Sequence, residues 1–259
     1  MLVAEKIIAG LGSDAMVRKR FPRFVIRAQA SSTNDVAWQL LAEDSPDGSV
    51  VIAGRQTGGR GRLGREWSSP PGNLYLSVLR KLVEPLESAG IMSLITGLAV
   101  AEALEDYVGM RCSLKWPNDL LVQGRKLGGI LLEGRQGWQV IGLGINVNTI
   151  LTDLAPEVHK TATTLRVERQ QQTALEPLVA LILLRLAELE GIFLKELRLP
   201  VERYLRYFPF RGQLVQVQRS GGDLIAPIAG IAEDGALQLD VDGQIVRITA
   251  GEVTHVRPA

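Results

Sequence analysis

Apolar residues recur along the chain with two different periods, and each change of period marks a new element. In SSTNDVAWQLLAE, residues 31–43, spacings of three and four put Val36, Ala37, Leu40 and Leu41 on one face. Ser32 or Thr33 stands ahead of them to cap free N–H groups, so the segment predicts a helix. SVVIA at 49–53 is a short unbroken apolar run, the pattern of a buried strand. NLYLSVLR at 73–80 alternates with period two after the breaker SSPPGN and predicts another strand. Pro85 opens an amphipathic helix that runs to about Tyr107. From Cys112 to Asn148 the pattern becomes SLKW, LLV, KLGGILLE and WQVIGLGINV, split by PND, QGR and GRQG, which predicts a meander of antiparallel hairpins. An irregular stretch follows, then a long helix in PLVALILLRLAELEGIFLKE and a short one near VERYLRYF. Pro209 ends the helical part, and strands joined by SGGD, EDG and VDG fill the rest. The fold class is α+β: a mixed sheet with flanking helices over residues 1–208, then a small β-barrel over residues 209–259.

Composition narrows this picture without redrawing it. At 259 residues, 46% hydrophobic and 22% charged, the chain has the makings of a soluble globular protein with a sizeable core. A net charge of +1 is too balanced for coating nucleic acid or an anionic membrane, so neither is expected as a partner. The uncharged stretch 88–101 falls short of the roughly 18 apolar residues of a membrane span and reads as a core helix. Glu5 and Lys6 come too early for a signal peptide, and the single cysteine, Cys112, excludes an internal disulfide or a CxxC motif. A cytoplasmic protein is expected. His159 and His255 form no HExxH pair and no GxSxG elbow occurs, so a zinc hydrolase and a serine nucleophile drop out, and no metal-ligating set is predicted.

The stretch GGRGRLGREW, residues 58–67, sets three arginines within six positions among glycines. Gly59, Gly61 and Gly64 satisfy GxGxxG after a strand, but REWSSPPGN cannot open the helix that would hold a pyrophosphate. A Walker A loop fails for want of GK[ST]. A disordered arginine–glycine tail or a solvated loop are the plain alternatives. Against them, the segment lies between two predicted strands with Trp67 just behind. Backbone N–H groups and guanidinium forks suit a phosphate or acyl phosphate, and the indole suits a purine. The pattern points to nucleotide chemistry in which a loop closes over a reactive intermediate. In KWPNDLLVQGRKLGGILLEG, Asn118 and Asp119 either build a hairpin turn or present polar groups to a pocket. Lys126 is a compact cation suited to a carboxylate and a phosphate together, and Gly128 and Gly129 mark a bend or a close approach. GLGINVN places Asn146 and Asn148 at a strand exit. With no covalent nucleophile evident, the substrates become a candidate source of it.

SSTN at 31–34, Q-x-x-GRGRLGREW from Gln56, KWPND, RKLGGILLE and GLGIN, in that order, resemble the biotin protein ligases from about residue 25 to the C-terminus. The resemblance implies a class II synthetase-like catalytic domain, the biotin/lipoyl ligase type, and an SH3-like terminal barrel. It implies two steps: the biotin carboxylate attacks the α-phosphate of ATP, with Mg²⁺, to give biotinyl-5′-AMP and pyrophosphate. A lysine of a biotin carboxyl carrier protein then attacks the acyl carbon and releases AMP. By the same resemblance Ser32, Thr33, Asn34 and Gln56 contact biotin, and Gly142 and Gly144 let their strand lie against it. Gly59, Arg60, Gly61 and Arg62 form the phosphate- and biotin-binding loop, with Arg62 closing on the acyl-adenylate. Trp67 packs on adenine, Lys126 bridges carboxylate and α-phosphate, and Arg65, Asp119 and Asn146 lie on the nucleotide side. Arg62 and Lys126 are the implied catalytic pair. Some members are also repressors through a helix-turn-helix domain. About thirty residues precede SSTN here, so a ligase without that function is expected, and the basic run RKRFPRFVIR (18–27) reads as a solvated face or strand flank. The resemblance also allows a homodimer of sheets side by side. A lipoate or octanoate ligase on the same scaffold and a non-catalytic biotin-binding regulator are the alternatives.

Overall fold

Helices cover both faces of one mixed sheet, and a smaller sheet follows it in the chain. The computed structural model describes residues 2–82, 90–218, 222–249 and 252–255. Helices α1 (Ala4–Gly10) and α2 (Ala15–Arg20) lead into strand β1 (Phe24–Arg27). Helix α3 (Thr33–Ala42), strands β2 (Val50–Ala53) and β3 (Leu74–Lys81), and helix α4 (Ile91–Val108) come next. Strands β4 (Ser113–Lys115), β5 (Asp119–Val122), β6 (Arg125–Arg135) and β7 (Trp138–Ile145) form the predicted meander, followed by helices α5 (Leu165–Arg169), α6 (Leu175–Glu196) and α7 (Val201–Leu205). The sheet order is β1-β2-β3-β7-β6-β5-β4, with only β1 and β2 parallel.

The period-two pattern of β3 sorts side chains onto two faces that are both buried. Leu74, Leu76 and Val78 join Val50, Ile52, Ile141 and Leu143 against the apolar residues of α4 and α6. Leu79 joins Val51 and Val140 under Ala37 and Leu40 of α3 on the other face. Each such side chain contributes about 1.5–3 kcal/mol on leaving water. Ser77 shares the α3 face and is fully buried, which brings a hydroxyl beneath the first turn of that helix. Pro85, the expected start of the fourth helix, lies outside the described residues; α4 itself is buried almost all round, as a core helix should be. No helix of the described residues is long and apolar enough to cross a membrane.

The N-terminal segment departs from expectation. The run 18–27 is not merely a solvated flank: it ends α2 and supplies β1, and Arg20 Nε donates to Glu190 Oε2 at 2.7 Å. Glu190 also receives Arg80 Nε at 2.9 Å and Arg80 Nη2 at 2.7 Å, and the Arg80 guanidinium lies 4.8 Å from the centre of the Phe21 ring.

Strands β8 (Leu214–Gln218), β9 (Leu224–Ile231), β10 (Leu237–Val241), β11 (Gln244–Ile248) and β12 (Glu252–His255) form a second, antiparallel sheet in the order β11-β10-β9-β8-β12. The SGGD turn lies partly outside the described residues. The smaller sheet is separate in hydrogen bonding but not in its core, since Val215, Ile228, Leu237 and Leu239 belong to the same apolar cluster as α4. The EDG turn makes the junction: Trp116 Nε1 donates to Gly235 O at 2.9 Å, and Leu199 N to Glu233 O at 2.7 Å.

Candidate active site

Beyond the end of α3, the sheet face it covers loses its bulky side chains. Val140 of β7 lies under α3, but the next residues on that face are Gly142 and Gly144, paired with Leu131 and Gly129 of β6 and with Ser77 and Tyr75 of β3. A Cβ on Gly142 would stand 2.4 Å from Asn34 Oδ1, and one on Gly144 would stand 2.6 Å from Trp67 Nε1. These glycines admit side chains from above, the close approach that a glycine inside a strand signals. Gly128 is required by backbone instead, its Cβ position lying 2.7 Å from Gly144 O. The result is a pocket of about 310 Å³, large enough for a small molecule.

One wall is the first turn of α3. Ser32 caps the helix by accepting the Asn34 N–H at 3.2 Å. Thr33 N–H donates to Gln56 Oε1 at 2.8 Å, and Gln56 Nε2 donates to Ser69 Oγ at 3.0 Å, which ties helix to loop. Ser77 Oγ lies 2.7 Å from both Thr33 Oγ1 and Asn34 Oδ1. Asn34 Nδ2 and Trp67 Nε1 are buried and have no hydrogen-bond partner among the described residues. Unpaired buried donors are uncommon, and both residues line the pocket.

The roof is the arginine–glycine segment, folded as a small hairpin. Trp67 N donates to Gly59 O at 3.0 Å and Gly61 N to Arg65 O at 2.7 Å. The tip is a 3₁₀ turn, Arg62–Gly64, with Leu63 and Gly64 at φ 57° and 73° and the Leu63 side chain exposed. Arg62 Nη1 reaches across to Asn118 Oδ1 at 3.1 Å, and Asn118 Nδ2 donates to Ile130 O at 3.1 Å. Arg60 turns the other way, onto Asp35 of α3 and Glu133 of β6. The hydrogen bonds donated by Arg60 hold the Asp35 carboxyl below its usual range, and donating them to Asp35 raises Arg60 further above its own.

The opposite wall carries Lys126, whose ammonium lies 2.7 Å from Asp119 Oδ1 and 5.4 Å from the centre of the Trp67 ring. Its backbone is fixed on both sides: Lys126 N donates to Thr161 O at 2.7 Å, and Lys126 O accepts from Thr163 N at 2.8 Å.

Ser32, Thr33, Asn34, Gln56, Arg60, Gly61, Arg62, Arg65, Trp67, Asp119, Lys126, Gly142 and Gly144 thus line one pocket. Two expected residues do not. Gly59 sits at the hairpin base, where a Cβ would stand 2.5 Å from Ser69 Oγ and from Trp67 O. Asn146 is 3% exposed, and its Nδ2 donates to Thr163 O at 3.0 Å, which braces the segment behind Lys126. Two further expectations change in detail: Arg60 is occupied by carboxylates, and Gly142 and Gly144 face Asn34 and Trp67. Sequence reasoning missed Lys115, Trp116, Val158 and Thr161 as pocket residues. The last two come from a stretch without periodicity, brought in by its bridge to β6. Among the described residues no three His, Cys, Asp or Glu side chains gather to hold a metal ion.

The sequence model of the "Biotin/lipoate A/B protein ligase family" matches residues 25–149, and that of the "Biotin protein ligase C terminal domain" matches residues 211–256. The chain is similar to the biotin–[acetyl-CoA-carboxylase] ligase of Mycobacterium tuberculosis, 36% identical over 241 residues covering 89% of this chain and 88% of that protein. It is 32% identical to the bifunctional ligase/repressor of Escherichia coli over 232 residues, 86% of this chain and 71% of that one. Among solved structures, the biotin protein ligase from Aquifex aeolicus in complex with biotin and ATP superposes with a TM-score of 0.80 at 30% identity, covering 92% of this chain and 100% of that one. The chain belongs to the biotin protein ligase family.

Proposed function

We propose that this protein joins biotin to ATP as biotinyl-5′-AMP and then transfers the biotin to a lysine of a biotin carboxyl carrier protein. The carrying observation is the Lys126 ammonium, held by Asp119 and covered by Trp67, in the wall of a pocket whose roof carries Arg62. The first step brings two anions together, a carboxylate and an α-phosphate. A compact ammonium between them relieves their repulsion and stabilises the pentacoordinate phosphorus. Arg62, at the other side, is placed to take charge from the phosphoryl oxygens. The reaction calls for no covalent nucleophile from the protein, because the carboxylate, and then the carrier's amine, are the nucleophiles. Orientation within the pocket supplies the rest.

The unpaired Asn34 Nδ2 and Trp67 Nε1 offer donors to a ligand rich in acceptors, which fits a ureido ring and a nucleotide. Mg²⁺ fits as an ion carried in on the ATP phosphates, the usual way it binds, since no protein cage for it is found among the described residues. A cytoplasmic setting suits the need for ATP and for a carboxylase carrier. A lipoate or octanoate ligase would use the same chemistry; the match of residues 211–256 to the biotin ligase C-terminal domain favours biotin. ATP–pyrophosphate exchange with biotin, lipoate and octanoate in parallel tests the reading. Exchange with biotin alone is expected. Exchange with lipoate alone would overturn the substrate, and none with any acid would overturn catalysis.

A further inference from the structure

Within the arginine hairpin, the two inner arginines point to opposite sides. Arg62 crosses the pocket to Asn118, whereas Arg60 is engaged by carboxylates of α3 and β6. Arg60 Nη1 donates to Asp35 Oδ2 at 3.0 Å and Nη2 to Asp35 Oδ1 at 2.6 Å, a two-pronged fork. The same Nη2 donates to Glu133 Oε1 at 3.2 Å. Glu133 is itself fixed, because its Oε2 accepts Trp38 Nε1 at 2.9 Å, and Trp38 lies under the Arg135 guanidinium at 4.9 Å. Asp35 belongs to the first turn of α3, next to Asn34 in the pocket wall.

Two carboxylates around one guanidinium leave a net negative charge, which repels an incoming phosphate. Arg60 is therefore unsuited to the phosphate role that its place in a glycine loop would suggest. What it does instead is mechanical. The hairpin is held at one side by Arg62 on Asn118 and at the other by Arg60 on α3 and β6, with the pocket between.

We propose that Asp35 and Glu133 are positioning residues of the reaction: they hold Arg60 so that the hairpin stays closed over the acyl half of the pocket and keeps the activated acid from escaping. The inference rests on the acyl-adenylate chemistry proposed above and assigns these carboxylates retention of the intermediate, with no part in its formation. Both lie outside the pocket lining, and neither touches the reacting atoms.

The test is a chase. Enzyme loaded with radiolabelled biotin and ATP is freed of excess ligand, and the loss of labelled biotinyl-adenylate from the protein is followed by gel filtration. For the double variant Asp35→Asn/Glu133→Gln, release at least tenfold faster than from the parent is expected. Its single-turnover rate of adenylate formation at saturating biotin and ATP should stay within about twofold. Because that variant also loosens α3 slightly, the charge-swapped variant Asp35→Arg/Arg60→Asp separates positioning from stability. Its retention should recover toward the parent value whatever its melting temperature, since the exchanged charges can pair again across the same gap, with Glu133 beside them. Unchanged retention in the double variant would overturn the latch, as would faster release that the swap leaves uncorrected. A parent that forms no adenylate at all would overturn the functional reading and the latch with it, so the two failures are distinguishable.

Discussion

Glu190 and Asp119 each hold a cation at 2.7 Å, in two settings that could hardly differ more. Glu190 is buried between α6, β3 and α2, only 1% exposed, and the N–H groups of Arg80 and Arg20 engage both its oxygens. Asp119 and Lys126 stand in a pocket wall, the lysine about one-third exposed and facing an indole. A surrounded ion pair has no capacity left for a ligand and can only fix the packing of three elements. A pair open on one side can exchange part of its field for a substrate's. Distance alone does not distinguish them; the number of partners and the access do.

Breaking the buried cluster gives the largest expected effect. Glu190→Ala leaves the buried Arg80 with no nearer counter-charge than Asp47 Oδ1 at 3.9 Å, and stability by urea unfolding should fall by up to about 3–5 kcal/mol. Activity per folded molecule should be unchanged; a specific loss of turnover would mean that the two networks are coupled. Asn146→Ala should cost about 1–3 kcal/mol by stranding Thr163 O, with the KM for ATP unchanged. A raised KM with unaltered stability would restore Asn146 to the nucleotide site. Gly142→Ala forces a Cβ against Asn34 Oδ1 and should cost a similar or smaller amount, about 1–3 kcal/mol, while weakening biotin binding measured by calorimetry. The effect absent at neutral pH concerns Cys112, whose thiol burial pushes up to about 12 from 9.0. Its contribution is fully present below about pH 9 and is lost as pH rises toward about 12, because the unfolded thiol ionises first. Between those limits the parent should lose stability more steeply than Cys112→Ala, by no more than about 1.4 kcal/mol per pH unit. Parallel curves would refute that.

Much of this was legible in the chain because local rules and tertiary demands agree. The cap at Ser32, the apolar run of β2 and the turn-separated strands of the meander carry their own signals. The glycines inside β6 signalled a bend or a close approach, and those of β7 entered only through the family resemblance; what approaches them is Asn34, Trp67 and a neighbouring strand. Helices α1 and α2 are seven and six residues long, too short for periodicity to register. Arg20 finds its partner 170 residues away, which no local pattern encodes. Arg60 and Arg62 are indistinguishable as letters in GRGRLG; only the fold turns one toward carboxylates and the other toward an asparagine. Asn146 is ambiguous for the same reason, since a polar residue at a strand exit can brace the backbone or meet a ligand.

The central claim is that the open pair is the chemical one. Single-turnover formation of biotinyl-adenylate by Lys126→Ala, with biotin affinity measured alongside, tests it most directly. The account predicts a rate lower by about 10²–10³-fold, the size of losing one transition-state charge contact, with the fold intact and biotin still bound. A rate within about twofold of the parent would contradict it and return Lys126 to the role of a structural partner of Asp119.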